Sequence, residues 1–176
     1  GILDEIIMRA VEVLLAFPGL ILALGLLSAM GQSVTTLIIA IGVFSIPGLA
    51  RLVRSRVLSV REEDYILAAR TLGASNTRIM LTYIWPNSMA PVIVQMSIAM
   101  GVAVLIEAAL SFLGVGVPPP TASWGGMLQE SFEFLSTEPL LSIVPGAAIF
   151  LLVLSFNLLG DGLRDALNPS LRSSFQ

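Results

Sequence analysis

From Val13 to Ala50 the chain runs for 38 consecutive positions without a charged side chain. As a single helix, at 1.5 Å per residue, that run would be about 57 Å long. A bilayer's hydrocarbon core is about 30 Å thick and takes roughly 20 helical residues. The run is too long for one span and fits two joined by a tight turn. Gly31-Gln32-Ser33 is its most polar, breaker-rich stretch, which predicts spans at about 12–30 and 34–52. Pro18-Gly19 and Pro47-Gly48 fall inside them and predict kinks rather than ends, because bundle neighbours re-satisfy the backbone groups that proline frees. Composition agrees: 56% of the residues are hydrophobic and 12% are charged, against about 25% charged in soluble domains. So few charges cannot cover a water-facing surface.

Two further charge-free runs follow, Ile79–Ile106 and Pro139–Gly160. Pro86 and Pro91 divide the first, and proline is tolerated in a first helical turn, so a span at about 90–113 is expected. Ser97 and Gly101 within it form a small-xxx-small pair that lets helices approach closely. The second run predicts a span at about 139–160, closed by Asp161, Arg164 and Asp165. Between them, Trp124, Met127, Leu128, Phe132 and Leu135 alternate with Gln129, Glu130 and Glu133. That is an amphipathic helix, too polar to span and suited to lie on the membrane surface. Trp124 and Phe132 read as interfacial anchors, and the scattered methionines read as packing. The expected fold is an all-α integral membrane helical bundle of about four transmembrane helices, one interfacial helix and a charged loop.

All nine basic residues are Arg, and six of them stand at 51, 54, 56, 61, 70 and 78. The 114–139 segment has none and carries Glu130, Glu133 and Glu138. The positive-inside rule then makes the 51–78 segment and the C-terminus, with Arg164 and Arg172, cytoplasmic. Parity puts the Gly31 turn outside and Gly1 inside. The absent residue types exclude more. Without His or Cys there is no ordinary zinc site, disulfide, thiol nucleophile or Ser-His relay. Without Lys the phosphate-binding P-loop cannot be written. No paired intramembrane Asp offers an aspartyl dyad. Neither a serine-protease relay nor an aspartyl dyad can therefore be assembled within the membrane, and any nucleotide that drives the chain must be bound by another chain. It opens on Gly1, and Asp4, Glu5, Arg9 and Glu12 interrupt the first apolar stretch, unlike a secretory signal. That predicts a true start upstream.

The Arg-rich segment has an internal pattern. It reads Glu62-Glu63-Asp64-Tyr65-Ile66-Leu67-Ala68-Ala69-Arg70-Thr71-Leu72-Gly73-Ala74-Ser75, then Ile84-Trp85-Pro86-Asn87. Tyr65, Ala68, Ala69 and Leu72 recur at i, i+3, i+4 and i+7, the spacing of one helix face. Gly73 breaks the pattern, permitting the positive φ that ends a helix sharply, and Ser75 is placed to cap a second short helix running toward Ile84.

This stretch closely resembles the membrane subunits of ATP-binding-cassette importers. Their signature loop has Glu-Ala-Ala, then Gly four residues after the second Ala and Pro thirteen after that Gly. Ala68, Ala69, Gly73 and Pro86 stand at those spacings, with Leu67 in place of the motif's Glu and Trp85 where Leu is common. The likeness continues in Phe17-Pro18-Gly19, in Glu107 to Gly114 with Pro118-Pro119-Pro120 and Ser123-Trp124-Gly125, and in Asn157 to Leu167 with Pro169. These look like the dipeptide/oligopeptide/nickel branch, and most like its C-type permease subunit. The chain resembles the last four spans of that family, without the first two and the external loop between them.

The resemblance implies a type I permease-like fold and no covalent chemistry. It implies a cytoplasmic coupling-helix loop at about 53–86, with Glu63, Asp64, Tyr65, Ala68, Ala69, Arg70, Gly73, Ala74, Ser75 and Pro86 meeting the ATPase. The implied partners are a second, related permease, two ATPase subunits, an extracytoplasmic solute-binding protein and the lipid bilayer, with no nucleic acid. The implied location is a bacterial or archaeal plasma membrane. The substrate stays open among dipeptide, longer peptide, nickel chelate and other small solutes.

Glu107 is the one acid within a predicted span apart from Glu12 at the edge of the first, and an intramembrane carboxylate is a functional candidate by default. It stands near the outer end, so a pathway role, reach to outer water and capping of a neighbouring helix all stay open. Asn157 and Gln95 read as interhelical hydrogen-bond partners, with a role in the pathway also open for Asn157. The rival function is an ion-coupled secondary transporter, whose habits fit Pro/Gly-interrupted helices and a lone Glu107. The 62–86 loop separates the two, since such a carrier has no need of an ATPase-docking knob.

Overall fold

The computed structural model describes residues 1–167; Pro169 and Arg172 lie outside the described residues. Those described form helices and turns and no strand: α1 (Ile2–Leu15), α2 (Gly19–Met30), α3 (Val34–Arg61), α4 (Asp64–Thr71), α5 (Asn76–Arg78), a π-helical segment (Ile79–Ile84), α6 (Trp85–Phe112), α7 (Trp124–Ser131), a 3₁₀ turn (Phe132–Phe134) and α8 (Leu140–Leu167). Three helical stretches are long and apolar enough to cross a membrane, Val34–Arg61, Asn76–Phe112 and Leu140–Leu167. The bent pair α1 and α2 makes a fourth if it is counted as one span.

The helix bounds depart from the sequence-based expectation in several places, and α8 too runs on past Gly160, to Leu167. The predicted span at 12–30 runs across a break, where α1 and α2 meet at 89°. Pro18 is the cause: it disfavours helical backbone at Phe17 and takes an extended conformation itself, φ −57° and ψ 127°. The 12 residues of α2 reach only about 18 Å. The second helix does not stop near 52 but continues to Arg61. Arginines are at ease near a helix C-terminus, where they face its partial negative charge, so a change in polarity did not mark a helix end. The third begins before the prolines rather than at about 90. Helical backbone is continuous from Asn76, passes through the π-helical segment, and carries Pro91 inside α6. A π-bulge and a proline each release carbonyls, and Asn87 Nδ2 donates to the Tyr83 carbonyl at 2.7 Å.

The chain divides into two compact units. The first comprises Gly1–Pro47 and Ala99–Asn157. Its core is Ala23 and Leu27 of α2, Leu37 and Ala40 of α3, and Leu110 of α6. Gly19 packs against the Phe44 ring so closely that any Cβ there would overlap it. α8 packs close to α6 at Gly101, where a Cβ would stand in ordinary contact, 3.6 Å from Val153 Cγ1 and 3.7 Å from the Val153 carbonyl. The second unit comprises Gly48–Ile98 and the chain from Leu158 onward. In it the same holds at Gly160: a Cβ would stand 3.5 Å from Ser97 Cβ and 3.7 Å from the Val94 carbonyl. Small residues at such contacts are how helices associate where apolar burial gives little drive.

Candidate functional site

The 62–86 segment folds into a compact knob within the second unit. Glu63 takes extended backbone, φ −71° and ψ 143°, and starts α4, whose first turn holds Asp64 and whose last holds Arg70. Both charges complement the helix dipole. Ile66 is fully buried and Ala69 is 8% exposed. Ile66, Ile79 and Ile84 form a small core, joined by Val57, Val60, Ala74 and Tyr83. Burial of one such isoleucine is worth about 1.5–3 kcal/mol. Tyr65 and Tyr83 add a tilted ring contact with centroids 6.4 Å apart.

α4 ends in a Schellman turn. Gly73 has φ 81°, its amide donates to the Arg70 carbonyl at 2.9 Å, and the Ala74 amide donates to the Ala69 carbonyl at 3.0 Å. Ser75 then caps the next helix, its Oγ accepting from the Arg78 amide at 3.3 Å. Pro86 is exposed in the first turn of α6.

The apolar stripe read from the sequence is not the face that α4 packs inward. Of the stripe Tyr65, Ala68, Ala69 and Leu72, only Ala69 is buried. Tyr65 is 42% exposed and Leu72 87%, with Leu67 at 66%. The inward face is Ile66 and Ala69, and the Ala68–Leu72 edge faces away from the chain.

A second constellation lies in the first unit, at the far end of α6. Ser111, buried, donates from Oγ to Glu107 Oε1 at 2.7 Å and accepts from the Val117 amide at 3.3 Å. Glu107 thus acts through Ser111 on the segment that leaves the helix. That segment begins with another Schellman turn: Gly114 has φ 79°, and its amide and that of Val115 donate to the Ser111 and Leu110 carbonyls, both at 3.0 Å. Gln32 Nε2 donates to the Gly114 carbonyl at 3.2 Å, tying in the α2–α3 turn. Ser123 caps α7 by accepting from the Gly126 amide at 3.0 Å, while Gly125 sits against Ala108 and Ser111 with no room for a Cβ. Phe112 and Phe132 meet edge to face at 6.0 Å, so Phe132 contacts the protein as well as facing outward. Ser111 was not singled out from the sequence. Its only signal there was the i, i+4 spacing from Glu107.

Asn157 and Gln95 are both exposed, and neither has a hydrogen-bond partner among the described residues. Of that polar stretch, it is Gly160 that engages a neighbouring helix.

Residues 1–173 match the family described as binding-protein-dependent transport system inner membrane component, and the chain belongs to that family. It is 45% identical over 171 residues to the dipeptide transport system permease protein DppC of Alkalihalophilus pseudofirmus, covering 97% of this chain and 56% of that protein. It is 45% identical over 173 residues to the glutathione transport system permease protein GsiD of Pectobacterium atrosepticum, covering 98% and 58%. The GsiD of Salmonella typhimurium is 43% identical over 169 residues. The chain spans somewhat more than half the length of these relatives.

Proposed function

We propose that the chain forms part of the translocation pathway of an ATP-driven importer of short peptides, and that the 62–86 loop couples it to the ATPase. The observation that carries this is the knob itself: a buried Ile66 core, a tight Gly73 turn, and an apolar outer edge at Leu67 and Leu72 that the chain's own described residues do not cover. A soluble partner gains by burying that edge, and the charged rim of Glu63, Asp64, Arg70 and Arg78 gives such a contact its register. The dipeptide and glutathione permeases among the relatives support a short-peptide substrate. A second permease subunit, different from this one, completes the pathway, two ATPase subunits engage the loops, and a solute-binding protein delivers the peptide on the outer side. Both termini and the loop face the cytoplasm, in keeping with the arginine distribution. ATP-driven closure at the knobs rocks the helices as bundles and alternates access.

Uptake of labelled dipeptide into proteoliposomes holding the assembled transporter tests this. Uptake that requires ATP and persists after ion gradients are collapsed is the expected result. Uptake driven by an ion gradient without ATP overturns it in favour of a secondary carrier.

A further inference from the structure

We propose that the cavity between the arginine-bearing C-terminal parts of α3 and α8 and the first turns of α6 is a binding site for the phosphate of an anionic glycerophospholipid. The cavity, about 480 Å³, lies wholly within the second unit. Arg56 and Arg164 line it, with Asn87 and Gln95 as further donors, while Leu52 and Val94 are part of its apolar wall. Neither arginine has an ion-pair or hydrogen-bond partner among the described residues. Two guanidiniums left unsatisfied on one concave wall are suited to a phosphate, which they bind through paired, charge-assisted hydrogen bonds.

Depth favours a lipid phosphate over a soluble one. Arg56 stands six residues beyond Ala50, and Arg164 four beyond Gly160, the last positions of two charge-free runs. At 1.5 Å per residue these offsets are about 6 Å for Arg164 and about 9 Å for Arg56, within and at the outer edge of the headgroup layer, roughly 5–7.5 Å thick, that flanks the hydrocarbon core. The lining is also amphipathic. A free anion would leave the Leu52 and Leu167 side of the wall bare, whereas the glycerol and upper acyl chain of a lipid cover it. Charge completes the match. Glu63 shares the cavity with the two arginines, so the lining carries one net positive charge, the complement of a singly charged phosphodiester. Basic pockets between membrane helices take anionic headgroups in this way. Because Glu63 immediately precedes α4, the occupant touches the start of the coupling knob, so lipid composition would bear on coupling. This inference needs the chain to be membrane-embedded but does not depend on the transported substrate.

The test is native mass spectrometry of the assembled, detergent-purified transporter titrated with dioleoylphosphatidylglycerol, dioleoylphosphatidylcholine or inorganic phosphate. Phosphatidylglycerol should be retained over phosphatidylcholine, and inorganic phosphate should not displace it. Arg56→Gln with Arg164→Gln should weaken phosphatidylglycerol binding about tenfold or more, while Arg51→Gln, on the same helix but off the cavity wall, should leave it unchanged. Equal retention of the two lipids, displacement by inorganic phosphate, or undiminished binding in the double variant would overturn the proposal. The wild-type lipid and phosphate comparisons decide it even where the double variant does not assemble.

Discussion

Gly73 shows how one residue type is fixed by backbone geometry rather than by space. Nothing lies within 4 Å of where its Cβ would be, yet its φ of 81° is a conformation that side chains resist. An L-residue there costs about 1–2 kcal/mol, and a β-branched one more. Gly73→Val should therefore open the Schellman turn without preventing membrane insertion, leaving wild-type amounts of protein in the membrane but abolishing ATP-coupled uptake. Normal uptake by a well-expressed variant would refute the coupling role. Ser111 is fixed differently, by the bonds it makes. Ser111→Ala leaves Glu107 and the Val117 amide without that partner, which costs about 1–3 kcal/mol where such groups are buried. A lowered melting temperature of the purified transporter is expected. Glu107→Gln keeps an oxygen acceptor for Ser111 and should keep that temperature. If it loses transport all the same, Glu107 belongs to the pathway as well as to the scaffold.

Among elements, α4 shows what periodicity decides and what it leaves undecided. Both stripes of this short helix are apolar, one running through Ile66 and Ala69 and the other through Ala68 and Leu72. The 3.6-residue period finds a helix but cannot choose between them. The choice is made by residues distant in sequence: Val57, Ile79 and Ile84 surround Ile66 and leave Leu72 outside. The turn chemistry at Gly73 and Ser75, by contrast, was readable locally because φ and capping depend on adjacent residues. The end of α3 at Arg61 was not readable, nor was the unbroken run of the helix that starts at Asn76 into α6, since charge marks where a bilayer stops and not where backbone hydrogen bonding stops. The two stripes of α4 make separable predictions. Leu72→Glu adds a charge to an already exposed site, so stability should change by no more than about 0.5 kcal/mol, while co-purification of the ATPase subunits falls. Ile66→Asp buries an unpaired carboxylate and should lower the melting temperature before any partner is tested. Full ATPase retention by the Leu72→Glu variant would show that this edge is not the docking surface.

At the scale of the whole molecule, the charge-free run of 38 residues and the clustering of arginine at 51–78 are two expressions of one constraint. A bilayer excludes charge from its core and holds it at a preferred face. This made the membrane class and the Arg-rich loop readable from sequence alone. The Pro18 break was harder, because a proline within a long apolar run is compatible with either a kink or a corner. The 89° corner leaves α1 with Ile2, Leu3 and Ile6 outward and charges at Asp4, Glu5, Arg9 and Glu12. That composition suits a helix lying along the membrane surface more than the first part of a span. Topology can be tested directly: residues 1–176 contain no cysteine, so in a protein otherwise free of cysteine a single introduced thiol reports its own side of the membrane. Gln32→Cys and Thr121→Cys, one in the α2–α3 turn and one in the segment before α7, should react with a membrane-impermeant maleimide in intact cells. Asn76→Cys in the coupling loop, and Glu5→Cys on α1, should react only after the membrane is permeabilised. Labelling of Asn76→Cys in intact cells would invert the orientation and remove the knob from the compartment where ATP is hydrolysed.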